Sequence, residues 1–162
     1  MKILGVDPGL NCTGYGLLSD GPGGLVLIEA GVVRSKASHP LEKRLNDLFA
    51  GMEEIIAEFK PDVLAIEELY SHYQHPRTAV IMGHARGVFL LAAGRIGIPV
   101  YSYSATRIKK SLTGSGRAAK EQVARMIGSL VNYDMSAFPS DATDAVAVAL
   151  CHVNAISHGG VF

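Results

Sequence analysis

The sequence predicts an α/β domain in which helices flank a mixed five-stranded sheet. Three observations carry that expectation. The N-terminal third reads as three successive strands joined by turn residues, two later apolar runs at 63–67 and 98–103 sit between segments of helical spacing, and 162 residues with 48% hydrophobic content suit one such domain and no second. The domain is expected to span 1–158, with 159–162 as a flexible C-terminal tail.

The first strand covers residues 2–7 and carries the apolar run Ile3-Leu4-Gly5-Val6. Strands at 13–19 and 25–34 complete a meander, separated by the turn signal Asp20-Gly21-Pro22-Gly23-Gly24. Pro40 opens a helix with apolar positions at Leu41, Leu45, Leu48, Phe49, Met52, Ile55, Ile56 and Phe59, and Lys60-Pro61 stops it. A buried strand follows at 63–67, then a long helix at about 77–94, a strand at 98–103, and helices near 105–112, 118–130 and 141–156. Ser140 is expected as the N-cap of the last.

Composition excludes several classes. Cys12 and Cys151 are too few for a disulfide framework, belong to no C-x-x-C pair and read as small buried apolar residues, which favours a reducing, cytoplasmic setting. A charge at Lys2 precedes any signal-peptide apolar region, and His152, Asn154, Ser157 and His158 interrupt the C-terminal apolar stretch, so neither secretion nor a membrane span is expected. The zero net charge divides sharply: residues 69–127 hold nine basic side chains against Glu121 alone, a net of +8, and the remainder carries −8. One cationic face suits a polyanionic partner, although surface charges also cluster by chance.

Four carboxylates stand at element termini. Asp7 ends the first strand, Glu67 ends Val63-Leu64-Ala65-Ile66, and Asp141 and Asp144 lie one turn apart at the start of an Ala/Val-rich helix. Strand-end acids in open α/β sheets lie where ligands bind, and oxygen donors suit hard ions such as Mg²⁺. Two such ions stabilise both the attacking and the leaving oxygen in a phosphoryl transfer. Taken singly, each acid has a plainer reading: the macrodipole favours aspartates in a first helical turn, and Asp7 before Pro8-Gly9 is a turn residue. Their conjunction beside apolar elements favours a metal site.

The chain resembles the RuvC family of crossover junction endodeoxyribonucleases, bacterial Holliday-junction resolvases, along nearly its whole length. The resemblance rests on Gly5-Val6-Asp7-Pro8-Gly9 with Thr13-Gly14-Tyr15-Gly16, on Ala65-Ile66-Glu67-Glu68, on Gly83-His84-Ala85-Arg86-Gly87, and on Asp141-Ala142-Thr143-Asp144-Ala145 with Ala147 and Ala149. It implies a ribonuclease-H-like fold, a homodimer, and Mg²⁺-dependent paired nicks in strands of like polarity in a four-way DNA junction, leaving a 5′-phosphate and a 3′-hydroxyl. It makes Asp7, Glu67, Asp141 and Asp144 the catalytic metal ligands, for two ions with Mn²⁺ able to substitute. It also implies work beside the RuvAB branch-migration motor in recombination and repair.

The segment after Glu67 interleaves aromatic and basic groups, with Tyr70 expected to stack on bases and Arg77 to hold phosphate. The family commonly has phenylalanine at the position of Tyr70. His72 and His75 have metal-pair spacing, but histidines in a polar loop more often face solvent. Lys109 and Lys110 precede Thr113-Gly114-Ser115-Gly116-Arg117, with Lys120 in the next helix. By the resemblance this region contacts DNA, with Lys109 and Lys120 as phosphate contacts and Lys110 and Arg117 beside them. The plain alternative is a glycine turn between two solvated helices. No G-x-x-x-x-G-K-[ST] motif is present, which removes a P-loop ATPase. Two rivals remain: an actin-like ATPase fragment and a non-catalytic junction-binding protein. The helix containing Val80, Ile81, Met82, Val88, Phe89, Leu90 and Leu91 carries more apolar surface than one sheet face covers, and is expected to join a homodimer, with Gly83 and Gly87 permitting close approach.

Overall fold

Strand β1 (Lys2–Asp7) is buried from Ile3 through Val6, so both of its faces need cover. The computed structural model describes residues 1–69 and 76–157. β2 (Cys12–Gly21) pairs antiparallel with β1, and β3 (Gly24–Arg34) returns along β2 after a tight turn that leaves Gly24 at a φ of 91°. On the other side of β1, β4 (Val63–Glu67) and β5 (Val100–Tyr103) run parallel to it, so the sheet order is β3-β2-β1-β4-β5. The expected mixed five-stranded sheet is present.

Side-chain alternation then sorts the core. Leu4, Val6, Leu17, Leu64 and Ile66 face α1 (Leu41–Phe59) and α2 (Pro76–Arg95), meeting Leu48, Met52, Ile56, Ala85 and Phe89. Ile3, Leu18, Val63 and Ala65 face the opposite layer, built from α3 (Ala105–Thr113), α4 (Lys120–Val131) and α5 (Ser140–Ser157). No helix among the described residues is long and apolar enough to cross a membrane.

β2 runs from 12 to 21 where 13–19 was expected, and three further boundaries differ for a backbone reason. Pro99 has no N–H and the Ile98 N–H bonds Ala93, so the ladder of β5 begins at Val100 rather than 98. α4 starts at Lys120, because Ala119 is still extended at φ −68°, ψ 154°. α5 starts at Ser140, with the Pro139 carbonyl accepting the Thr143 N–H at 3.1 Å, so Ser140 stands in the first turn and is not the N-cap. Lys60 does close α1, in the left-handed conformation with its N–H on Ile56. The expected C-terminal tail, 159–162, lies outside the described residues.

Candidate active site

Asp7 and Glu67 are brought together by strand register. Val6 pairs with Ile66 in the parallel ladder, so the next residue on each strand is a carboxylate. Both share the parity of Ile3, Gly5, Val63 and Ala65, which sends their side chains toward α5.

The start of α5 reaches them because the sheet beneath it is made of glycine. Asp7 pairs with Gly14 on β2, and a Cβ added to Gly14 would lie 1.8 Å from the Asp141 carbonyl oxygen. Added at Gly5, it would lie 2.1 Å from the Ala145 carbonyl, and at Gly16 2.5 Å from Val146. The glycines of the N-terminal motifs are therefore the floor on which α5 rests. From Ala142 to Val153 the helix is buried at every position except Asp144, and Asp141 just before them is also partly open. A helix buried nearly all round thus shows its two aspartates where Asp7 and Glu67 end.

The loop after Asp7 is held from both sides. Thr13, fully buried, donates its hydroxyl to the Gly9 carbonyl at 2.7 Å and accepts the Gly9 N–H at 3.1 Å. Ser35 donates to the Leu10 carbonyl, while Arg44 on α1 bonds both Ser35 and Asn11. Glu67 is anchored by Arg86 on α2, whose Nε donates to the Glu67 carbonyl at 3.2 Å and whose terminal nitrogen donates to Ser102 Oγ on β5 at 2.6 Å.

The cluster is electrostatically loaded. Burial first, then the charges of Glu67, Asp144 and Asp141, pushes the Asp7 carboxyl up to about 8, with Lys120 acting in the opposite direction. Glu67 is raised chiefly by burial and then by Asp144, while its hydrogen bond with Asp7 and the charges of Lys109 and Lys120 pull it back. Lys120 Nζ lies 2.7 Å from Asp144 Oδ2. Glu67, Asp144, Lys109 and Lys120 line one cleft of about 280 Å³, walled by Ala105, Ile108, Val123 and Ala147.

The four predicted acids are thus neighbours at one end of the sheet, and two of the predicted basic residues face them. Arg77 lies in the exposed first turn of α2, and Lys110 and Arg117 are exposed on α3 and the loop that follows it. Tyr70, His72 and His75 lie outside the described residues. Two participants were missed by the sequence reading. Arg86 was visible only within the Gly83–Gly87 motif and as one of nine basic residues. Cys12, read as a buried apolar residue, is partly exposed at the start of β2; burial and then a hydrogen bond with Asp141 push its thiol up to about 11. Its place directly before Thr13 was the one available signal.

The sequence profile of the family described as "Crossover junction endodeoxyribonuclease RuvC" matches residues 3–152. The chain belongs to this family. It is 48% identical over 150 residues to the crossover junction endodeoxyribonuclease RuvC of Rhodopirellula baltica, covering 92% of this chain and 84% of the relative. The solved structure of Thermus thermophilus RuvC superposes with a TM-score of 0.88 at 34% identity, covering 98% of this chain and 97% of the other. A second structure, T. thermophilus RuvC in complex with Holliday junction substrate, gives a TM-score of 0.87 at 30% identity with the same coverage. The fold is the expected ribonuclease-H-like one, and the family is one of nucleases. An actin-like ATPase fragment is set aside by this match.

Proposed function

We propose that the protein resolves four-way DNA junctions by metal-dependent phosphodiester hydrolysis, cutting two strands of like polarity symmetrically. The observation that supports it most directly is the meeting of Asp7, Glu67, Asp141 and Asp144 with Lys109 and Lys120 at one end of the sheet, in a chain of the crossover junction endonuclease family.

The donor set fits a hard divalent ion. Every acid in the cluster offers carboxylate oxygen, and Asp7 and Glu67 are raised by burial first and then by the neighbouring acids, so a divalent ion among them would offset both causes. Asp7, Glu67, Asp141 and Asp144 would hold Mg²⁺, in two sites, with Mn²⁺ able to substitute. When bound, the ions make water a nucleophile near neutral pH and offset charge on the phosphate. The chain's own groups do the rest. Lys109 on α3 and Lys120 on α4 face the acids across the cleft and draw a backbone phosphate toward them. Arg77, Lys110 and Arg117 extend the cationic surface along the DNA arms. Gly5, Gly14 and Gly16 keep the two aspartates of α5 in register with the strand ends. The products are a 5′-phosphate and a 3′-hydroxyl, and Tyr70 is assigned a stacking role on unpaired bases near the cut.

Two equivalent cuts call for two sites related by a two-fold axis, and a homodimer through α2 supplies them. Val80 and Leu91 on that helix are 58% and 57% exposed, and a Cβ added at Gly87 would meet nothing within 4 Å among the described residues. The RuvAB branch-migration motor is proposed as a partner from the family resemblance, the cytoplasm as the setting, and 1–158 as the catalytic domain. An assay offering four-way junction, plain duplex and ATP as rival substrates with and without Mg²⁺ tests the reading. Junction cleavage that needs Mg²⁺ is expected, and Asp7→Asn, Glu67→Gln, Asp141→Asn or Asp144→Asn should lower it by more than about 100-fold, the loss that changes around a metal's outer partners already cause. Junction binding should survive in each. Junction binding without cleavage in the parent protein would leave the non-catalytic alternative standing.

A further inference from the structure

Lys120 occupies an unfavourable place on its own helix. It is the first residue of α4, where the macrodipole favours anions, and a lysine there is stabilised only by something outside the helix. That something is Asp144, at 2.7 Å, with the charges of Asp141 and Asp7 acting in the same direction. One oxygen of Asp144 is thus committed to an ammonium. The Lys120 side chain is 58% exposed and that of Asp144 32%, so the lysine can swing into solvent without disturbing the core.

We propose that Lys120 is a place-holding cation of the acid cluster, competing with the divalent ion for Asp144 and set free toward the DNA backbone when the ion enters. This rests on the metal-site reading above and deepens it. A monovalent cation tethered in the cluster lowers the repulsion among the four acids, and the same contact competes with a divalent ion for the Asp144 carboxylate. An ion that takes Asp144 as a ligand would release that one ammonium at the wall of the cleft that Lys109 also lines. The lysine then becomes more available to a phosphate at a site that holds metal. Junction contact and metal loading are then coupled through one side chain, and the coupling acts in both directions.

The test measures binding, not cleavage. Mn²⁺ affinity of the DNA-free protein is read by calorimetry and by electron paramagnetic resonance in the parent, Lys120→Gln, Arg125→Gln and Asp7→Asn. Lys120→Gln should bind Mn²⁺ roughly 3- to 10-fold more tightly than the parent, the loss of a competing ion pair and of one positive charge. Arg125→Gln, which removes an exposed charge farther along the same helix, should change affinity by less than about twofold. In the unsubstituted protein, Lys120 should become more reactive toward amine acylation as Mg²⁺ is added, while Lys43 stays constant, both followed by mass spectrometry. Equal or weaker Mn²⁺ affinity in Lys120→Gln, or Lys120 reactivity indifferent to Mg²⁺, overturns the proposal. Mn²⁺ binding that persists undiminished in Asp7→Asn overturns the metal-site reading, and the proposal with it. Binding lost in Asp7→Asn but unchanged in Lys120→Gln removes only the role of the lysine.

Discussion

The guanidinium of Arg86 holds the backbone of Glu67: Nε donates to the Glu67 carbonyl at 3.2 Å while the same side chain reaches Ser102 on the neighbouring strand at 2.6 Å. A helix on one face of the sheet thereby holds the strand end that carries an acid directed to the other face. Arg86→Ala should destabilise the protein by about 1–2 kcal/mol, the loss of two hydrogen bonds from a charged donor that is partly solvated. Its effect on junction cleavage should exceed its effect on junction binding, because it loosens an acid and not a phosphate contact. Urea titration together with paired binding and cleavage assays checks this; cleavage unchanged in a folded Arg86→Ala would separate the clamp from the site.

Gly14→Ala places a methyl group 1.8 Å from the Asp141 carbonyl oxygen, a backbone atom that cannot step aside. α5 must lift from the sheet, at a cost of about 1–3 kcal/mol in overpacking. Cleavage should fall much further than stability, since the lift carries Asp141 and Asp144 away from Asp7. Gly21→Ala, with nothing within 4 Å of its added Cβ, is the matched control and should leave cleavage intact. Comparable cleavage by the two variants would refute the glycine-floor account.

The raised Asp7 carboxyl gives the metal-free protein a specific pH dependence. The group is held near 8 when folded and near its ordinary 3.8 when unfolded, so between those values the folded state binds the extra proton. Stability from this group is fully present below about pH 4 and is lost as pH rises through 8. In chelator, the urea midpoint should therefore decline from pH 5 to pH 8, and Asp7→Asn should flatten that decline. Metal binding at pH 7 should release protons, seen as a buffer-dependent heat. Parallel pH profiles for the parent and Asp7→Asn would contradict the assignment.

The dimer proposal is redirected by burial. Phe89, counted among the residues of α2 in excess of its sheet face, is fully buried within its own chain, so Phe89→Asp would unfold the protein and report nothing about assembly. Val80 and Leu91 are the exposed apolar positions of that helix. Leu91→Asp should convert a dimer to a monomer at micromolar concentration with the melting temperature nearly unchanged. Light scattering decides it, and a parent protein that is monomeric both free and on the junction would end the proposal.

The fold was legible because its signals are local. The apolar run in 2–7, helical spacing in 41–59 and the stop at Lys60-Pro61 depend on neighbours a few residues apart. The acids were legible for a related reason: each ends an apolar element, and an ion-binding group must stand where burial stops. Element edges were less legible, as at Val100 and Lys120, because hydrogen bonds to Ala93 and the extended Ala119 set them.

Other features were decided only by the tertiary structure. The parity that turns Asp7 and Glu67 toward α5, the register that sets Asp7 opposite Gly14, and the bare floor of Gly5, Gly14 and Gly16 are relations between separate elements, the last joining the first two strands to a helix at the far end of the chain. The bond between Lys120 and Asp144 is of the same kind, since a sequence displays charge while only packing assigns its partner. Residue identity established which chemistry this chain can perform; close approach of backbone to backbone, which glycine permits and no local pattern encodes, determined where the acids meet.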